Sequence, residues 1–254
     1  MTRLAWPPSC VAVPSLRFFH EDSKLWDLRA IVNAYQNFTY DLTRSKVRYK
    51  SFLRSLGIFL QGSSVYSDQD LLKQIKKEHD HFVAVNMFEH IRSQQEIKNS
   101  FEKRLEKTAK QWTVISNLCS IPGISHIRAC IITAIVCWPE RFLNKHKFWA
   151  YSMLVRHIEE SDGKIYGRKK IRGRAELKAV FMGAATSVLM NTSGLRRYYD
   201  ELRGKGTSDC DAKKAVARRI AAITLTIMKS GCRYDDKHEK IWKRLENVTP
   251  LQSS

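Results

Sequence analysis

Glu160-Ser161-Asp162-Gly163-Lys164 runs directly into Ile165-Tyr166-Gly167-Arg168-Lys169-Lys170-Ile171-Arg172-Gly173-Arg174. A serine on a short Gly-containing turn, followed at once by Lys164, Arg168, Lys169, Lys170, Arg172 and Arg174, can hold a phosphodiester beside a nucleophile. A serine hydroxyl is a poor nucleophile at its free pKa. It needs a base or a metal to activate it, and positive charge to stabilise the pentavalent, phosphorane-like state. Arg156 and His157 lie just upstream and could reach the same phosphate, His157 either as a general base or as a purely structural histidine. The plainer alternative is a surface turn leading into a solvated basic loop.

Composition narrows the chemistry. The 254 residues can bury a real core in one large or two smaller domains. A net charge of +19 far exceeds what solubility requires, so a polyanionic partner is expected, with nucleic acid ahead of an anionic membrane surface. The longest apolar run, Ala129 to Trp138, is closed by Arg128 and Pro139, well short of the roughly 20 residues a spanning helix needs. Pro7-Pro8 and Pro14 break any signal-type core, so no membrane association and a cytoplasmic location are expected. Cys10, Cys119, Cys130, Cys137, Cys210 and Cys232 contain no C-x-x-C pair, and His79 and His81 point to different faces of a helix. No metal site is therefore expected in this chain.

The elements that must position the serine are mainly α-helical. Residues 1–22 are Pro-rich and read as an irregular stub. A helix beginning near Ser23, with Asp22 and Asp27 at its start, carries Leu25, Leu28, Val32, Tyr35, Leu42, Tyr49, Leu53 and Leu56 at three-four spacing. Thr39 and Lys46 interrupt that stripe and Gly57 stops it, which predicts a coiled-coil-like helix. After Gly62-Ser63-Ser64, a shorter helical segment is expected near Ser67-Asp68. A second long helix then has a stripe through Phe82, Val85, Ile91, Phe101, Leu105, Trp112 and Ile115. Packed antiparallel, these would make a helical arm over residues 23–116.

Composition changes near Leu118, where Leu118-Cys119-Ser120-Ile121-Pro122-Gly123-Ile124-Ser125-His126-Ile127-Arg128-Ala129 has the form of a helix-hairpin-helix. Such a turn can take a phosphate on backbone N–H groups, which makes Gly123 a candidate DNA-binding residue; the usual second glycine is Ser125 here. Helices are then expected over Phe142 to Leu154, Ala175 to Met190 and Leu195 to Leu202. A last amphipathic helix through Ala215, Ile220, Ile223 and Ile227, capped by Asp209 or Asp211 and stopped by Gly231, completes a compact domain over 117–236, leaving 237–254 as a polar tail.

Taken in order, Ile121-Pro122-Gly123-Ile124, Phe148 to Leu154, Ser161-Asp162-Gly163-Lys164, Lys170-Ile171-Arg172-Gly173-Arg174-Ala175-Glu176-Leu177, Met182-Gly183-Ala184-Ala185, Tyr198-Tyr199-Asp200-Glu201-Leu202 and Ala215 to Ile227 resemble the C-terminal domain of transposases of the insertion sequence 110/116/902 family. Trp26-Asp27-Leu28-Arg29 through Thr43-Arg44-Ser45-Lys46 to Phe52-Leu53-Arg54-Ser55-Leu56-Gly57 is similar to that family's coiled-coil linker, so the resemblance spans about residues 23–236. It implies DNA transposition, with Ser161 as the catalytic nucleophile that forms a phosphoserine link. Gly163 would shape the turn, and Lys164 and Arg168 would neutralise the phosphate. The DNA-binding set read with it is Gly123, Arg156, Gly163, Lys164, Arg168, Lys169, Lys170, Arg172 and Arg174.

The same resemblance implies a ribonuclease-H-like N-terminal domain whose four carboxylates bind divalent metal, Mg for example, and a structured guide RNA. The chain opens where the family's linker begins, so that acidic domain is expected to be missing, the copy truncated, and no cofactor bound by this chain. Two positions depart from the family pattern: Ser152-Met153 replace small residues, and Asp162 sets a carboxylate beside the nucleophile. The alternative functional reading is a non-catalytic DNA- or RNA-binding protein. A helical interaction protein is a third, and self-association through the arm, giving a homo-oligomer, is compatible with all three.

Overall fold

The computed structural model describes residues 23–59, 62, 64–66, 68–155, 157–161, 164–169 and 173–235. The expected irregular stub over 1–22 and the tail over 237–254 lie outside them. Among the described residues the fold is mainly α, with eight α-helices and one two-stranded hairpin. Two compact units are formed, one by Ala30–Lys107 and one by Met1–Arg29 with Thr108–Ser254. The boundaries fall inside two long helices, α1 (Ser23–Ser55) and α2 (Glu78–Gln111).

Within the unit Ala30–Lys107 these helices run antiparallel. Tyr35 donates to Glu102 at 3.0 Å, Phe38 stacks on Phe101 at 5.2 Å, Lys46 donates to Gln95 at 3.0 Å and Tyr49 meets Phe88 at 6.2 Å, so ascending positions on one helix meet descending ones on the other. The expected stripe on α1 is borne out: Leu28, Val32, Tyr35, Leu42, Tyr49 and Leu53 are all buried. Its two polar interruptions are half-buried, Thr39 donating back to the Tyr35 carbonyl at 2.8 Å while Lys46 reaches Gln95.

On α2 the buried positions are Ala84, Phe88, Ile91, Leu105 and Ala109, and half-buried Gln95, Lys98 and Glu102 fall between them at the same three-four spacing. Phe82, expected in that stripe, is 68% exposed. The middle of the seam is polar, and a search for apolar periodicity steps across it to the wrong face. The Gly57 stop is a Schellman turn: Gly57 has φ +80°, its N–H bonds Arg54 at 3.0 Å, and Ile58 N–H bonds Leu53 at 3.0 Å. Two 3₁₀ turns, Ser64–Tyr66 and Leu72–Gln74, replace the short helix expected near Ser67-Asp68, and Val65, Leu71 and Ile75 cap the end of the pair.

The second unit is built around α8 (Asp209–Ser230), the last helix among the described residues, which packs against α3 (Thr113–Leu118), α5 (Lys145–Tyr151), α6 (Ala175–Val188) and α7 (Gly194–Gly204). Expected to be amphipathic, α8 is instead buried on nearly every side. Ala212, Ala217, Ala221 and Ala222 let neighbours approach where larger residues would hold them off. Its cap is Ser208, whose hydroxyl accepts from Asp211 N–H at 3.1 Å and donates to the Asp211 carboxylate at 2.7 Å; neither Asp209 nor Asp211 is the capping residue. Gly231 closes it in the left-handed conformation, φ +69°, as expected.

Phe142 to Leu154 is only partly helical. α5 starts at Lys145 because Asn144 caps it, accepting from Lys147 N–H at 3.0 Å. Phe148, fully buried, meets Phe142 at 5.0 Å and Phe181 edge-on at 5.9 Å, joining α5 to α6. The stripe Leu177, Phe181, Ala184 and Val188 on α6 is wholly buried, as its spacing predicts.

Candidate nucleic-acid interface

Where a basic loop was expected, the chain forms an antiparallel β-hairpin, β1 (His157–Ser161) and β2 (Lys164–Lys169). His157 pairs with Lys169, Ile158 with Arg168, Glu159 with Gly167, Glu160 with Ile165, and Ser161 with Lys164; a bulge falls opposite Glu159/Glu160. Ser161 thus holds the last rung before the turn and shares it with Lys164. The bulge sets Lys169 rather than Arg168 opposite His157, so the extra residue determines which cations share a rung with which side of the ribbon. Of the expected DNA-binding residues, Arg156, Gly163, Lys170 and Arg172 lie outside the described residues.

The root of the hairpin is tightly built. Arg174, exposed, stands at the N-cap position of α6 without a side-chain capping bond, and its backbone N–H bonds the Tyr151 carbonyl at 2.8 Å. Gly173 precedes it so closely packed that an added Cβ would lie 2.5 Å from that same carbonyl oxygen and 2.9 Å from Met153 Cγ. Met153 has φ +53°, left-handed backbone unusual for its type, and Ser152 before it is wholly buried with its hydroxyl unpartnered. The strand pair therefore enters and leaves through one narrow backbone contact, Tyr151–Met153 against Gly173–Arg174.

The Pro122-Gly123 turn joins α3 to α4 (His126–Val136). Gly123 has φ +86°, and its Cα is pressed on the Ala184 carbonyl of α6, leaving no room for a Cβ. The structure thus gives Gly123 a packing role. Arg128 locks the same contact, donating to the Gly123 carbonyl at 2.6 Å and to Ser187 Oγ at 2.9 Å beneath Gly183. Burial lowers the Arg128 pKa from its usual value. Ser125, in place of a second glycine, has φ −82° and ψ 168°, backbone open to any residue, and its hydroxyl caps α4 by accepting from Arg128 N–H at 3.5 Å. His126 Nδ1 lies 3.3 Å from the Cys119 thiol at the exposed edge of this turn.

The sequence reading did not single out Arg128, Arg141 or Tyr151. Arg141, in a 3₁₀ turn Pro139–Arg141, lies 4.6 Å from the centroids of both Phe142 and Tyr151. An arginine beside a run of aromatics in Arg141-Phe142 and Phe148-Trp149 was the available signal.

Residues 115–200 match the model of the Transposase IS116/IS110/IS902 family. This supports the transposase family read from the sequence. The matched transposase segment runs from α3 through the hairpin and into α7, stopping short of α8. The match supports DNA transposition or recombination in general terms, and that family implies interaction with DNA. No curated protein matches the chain.

Among the described residues no cluster of three or more His, Cys, Asp or Glu side chains is placed to hold a metal ion. The resemblance implies the carboxylates for a divalent ion in a ribonuclease-H-like domain and not among these residues, and no step below is routed through such an ion. No helix among the described residues is long and apolar enough to cross a membrane.

Proposed function

We propose that this chain binds DNA through the hairpin and its root, and that Ser161 attacks a backbone phosphorus. The single observation that carries the reading is the shared last rung of Ser161 and Lys164 at the turn end of a ribbon anchored within the transposase segment. A two-stranded ribbon is narrow enough to enter a DNA major groove, so its turn end can reach a strand's phosphates.

In the step itself the Ser161 hydroxyl oxygen forms a bond to phosphorus, its proton passes to a base, and one phosphorus–oxygen ester bond breaks. The released sugar hydroxyl takes up a proton, and the strand stays linked to the protein as a phosphoserine ester. Lys164 and Arg168 neutralise the charge that builds on the phosphoryl oxygens, with Lys169, Lys170, Arg172 and Arg174 following the backbone away from the serine. In the same reading Gly163 shapes the turn and Arg156 adds a further cation. Gly123 contributes by shape: it docks the helix-hairpin-helix turn on α6 and leaves exposed Ser125 and His126 at the start of α4 for a phosphate.

The arm pairs with a second copy of the chain. Tyr40 and Val47, seven residues apart on α1, are 60% and 63% exposed, outside the seam of the helical pair. A structured RNA is the second nucleic-acid partner in this reading.

Covalent trapping tests it. The chain is incubated with supercoiled DNA and Mg²⁺, together with the acidic domain of a family member, then denatured and assayed for protein-linked strands. Ser161→Ala is expected to abolish linkage and retain DNA binding. Linkage that survives the substitution removes Ser161 from its role, and binding without linkage in the unsubstituted chain favours the non-catalytic nucleic-acid binder.

A further inference from the structure

We propose that Arg141 and Arg174, gathered on Tyr151 at the root of the hairpin, form a clamp for one backbone phosphate of duplex DNA. The proposal rests on the nucleic-acid reading above and adds to it Arg141, which the sequence reading did not single out.

Arg141 is fixed before any ligand arrives. Its guanidinium lies 4.6 Å from two ring centroids, Phe142 and Tyr151, and its side chain makes one long hydrogen bond, 3.4 Å to the Ile135 carbonyl. A guanidinium has five N–H donors, so most of Arg141's fork is unspent while its rotamer freedom is already largely given up to the rings. Arg174 lies against the same tyrosine: its backbone N–H bonds the Tyr151 carbonyl at 2.8 Å, and the neighbouring Tyr151 side chain raises the pKa of its guanidinium. Among the described residues neither arginine forms an ion pair with a carboxylate. Glu140, next to Arg141, is 3.8 Å from Lys229 instead, and Glu176 acts on Arg174 only as a minor favourable charge.

The charges around Cys137 are in keeping with the two cations sharing one neighbourhood. The Cys137 thiol is pushed up by burial and held back by the positive charges of Arg29, Arg141 and Arg174. Cys137 itself has φ +56° and ψ −72°, and Trp138 N–H bonds the Val136 carbonyl at 2.7 Å across it. That is a γ-turn of the rarer, strained hand, and it swings the chain from α4 into the turn carrying Arg141. Like charges gathered on one aromatic platform repel each other, and strained backbone maintains their approach. A phosphodiester oxygen pair relieves that repulsion and matches the planar donors bidentately.

The test is the salt dependence of duplex DNA binding by the full chain, followed by fluorescence anisotropy. Each phosphate contact contributes about 0.9 to the slope of log K against log salt. Arg141→Gln and Arg174→Gln are each expected to lower the slope by about 0.9, and the double variant by little more than either alone, because both grip one phosphate. Arg141→Lys keeps the charge and loses the stacked fork, so it should keep the slope and weaken binding several-fold. Tyr151→Phe keeps the ring under Arg141 and releases Arg174, and should fall between wild type and Arg174→Gln. Circular dichroism of each variant verifies folding. Slopes unchanged from an Arg92→Gln control in the arm, or a double variant that loses twice the single effect, overturn the clamp while leaving DNA binding intact. Slope changes confined to a structured RNA overturn it as a duplex site. An unsubstituted chain that does not bind duplex DNA overturns the nucleic-acid reading itself.

Discussion

Gly123 and Gly183 both serve the contact between the Pro122-Gly123 turn and α6, yet alanine should affect them very differently. At Gly123 the backbone is left-handed and a Cβ would strike the Ala184 carbonyl, so Gly123→Ala is expected to cost about 2–4 kcal/mol and lower the melting temperature clearly. At Gly183 the new methyl meets only the end of the Arg128 side chain at 3.1 Å, and helix propensity favours alanine by about 0.5–1 kcal/mol, so the change should be nearly neutral. Equal losses in thermal melts would contradict this division of roles. Ser152→Ala runs the other way: the hydroxyl is fully buried without a partner, so removing it should leave stability unchanged or raise it by about 1–3 kcal/mol. A clear loss in urea unfolding would mean that Ser152 has a partner after all. These contrasts show where the sequence was legible. The Pro-Gly turn was visible as a turn, but whether its glycine serves a ligand or a neighbouring helix depends on a residue sixty positions away.

At the level of elements, the polar middle of the arm is a register device. Tyr35 donates to Glu102, which also takes Lys98 Nζ at 2.7 Å, and Lys46 bonds Gln95; shifting either helix by one turn would strand these groups. Burial first, and then the Glu102 hydrogen bond, push the Tyr35 pKa up to about 12 from 10.0. The folded arm therefore favours the neutral phenol. Its stabilising contribution is complete below pH 10 and is lost as pH rises through about 12. Alkaline unfolding should show this as a loss of stability that Tyr35→Phe largely removes; an identical pH profile for the substituted chain would refute it. Periodicity found α1 because its seam is apolar at six positions, and it missed half of α2 because that seam passes through Gln95, Lys98 and Glu102. The hairpin was legible in principle: Asp162-Gly163 is a strong two-residue hairpin signal. The adjoining basic run disguised it as a loop, since neither His157-Ile158-Glu159-Glu160-Ser161 nor Lys164-Ile165-Tyr166-Gly167-Arg168-Lys169 shows the strict apolar–polar alternation that marks a half-buried strand.

For the whole molecule, a charge of +19 makes electrostatics the dominant long-range force. Duplex DNA affinity should fall linearly on a log–log plot against salt, and the slope divided by about 0.9 counts the phosphates engaged. Affinity insensitive to salt would dissociate this charge from nucleic acid altogether. The basic character was readable from composition alone, but its placement was not, because Arg141 reaches the Tyr151 ring, and Arg174 N–H the Tyr151 carbonyl, only once α5 sets that tyrosine in place.

The central helix of the second unit, Asp209–Ser230, is also the last among the described residues. During synthesis α3 to α7 leave the ribosome before the surface they pack on exists, so their apolar faces must wait, exposed to chaperones and proteases. A premature stop anywhere ahead of Ser230 would leave a hollow shell of helices rather than a slightly shorter protein. Selection for solubility should therefore act on α8 as strongly as on the serine itself.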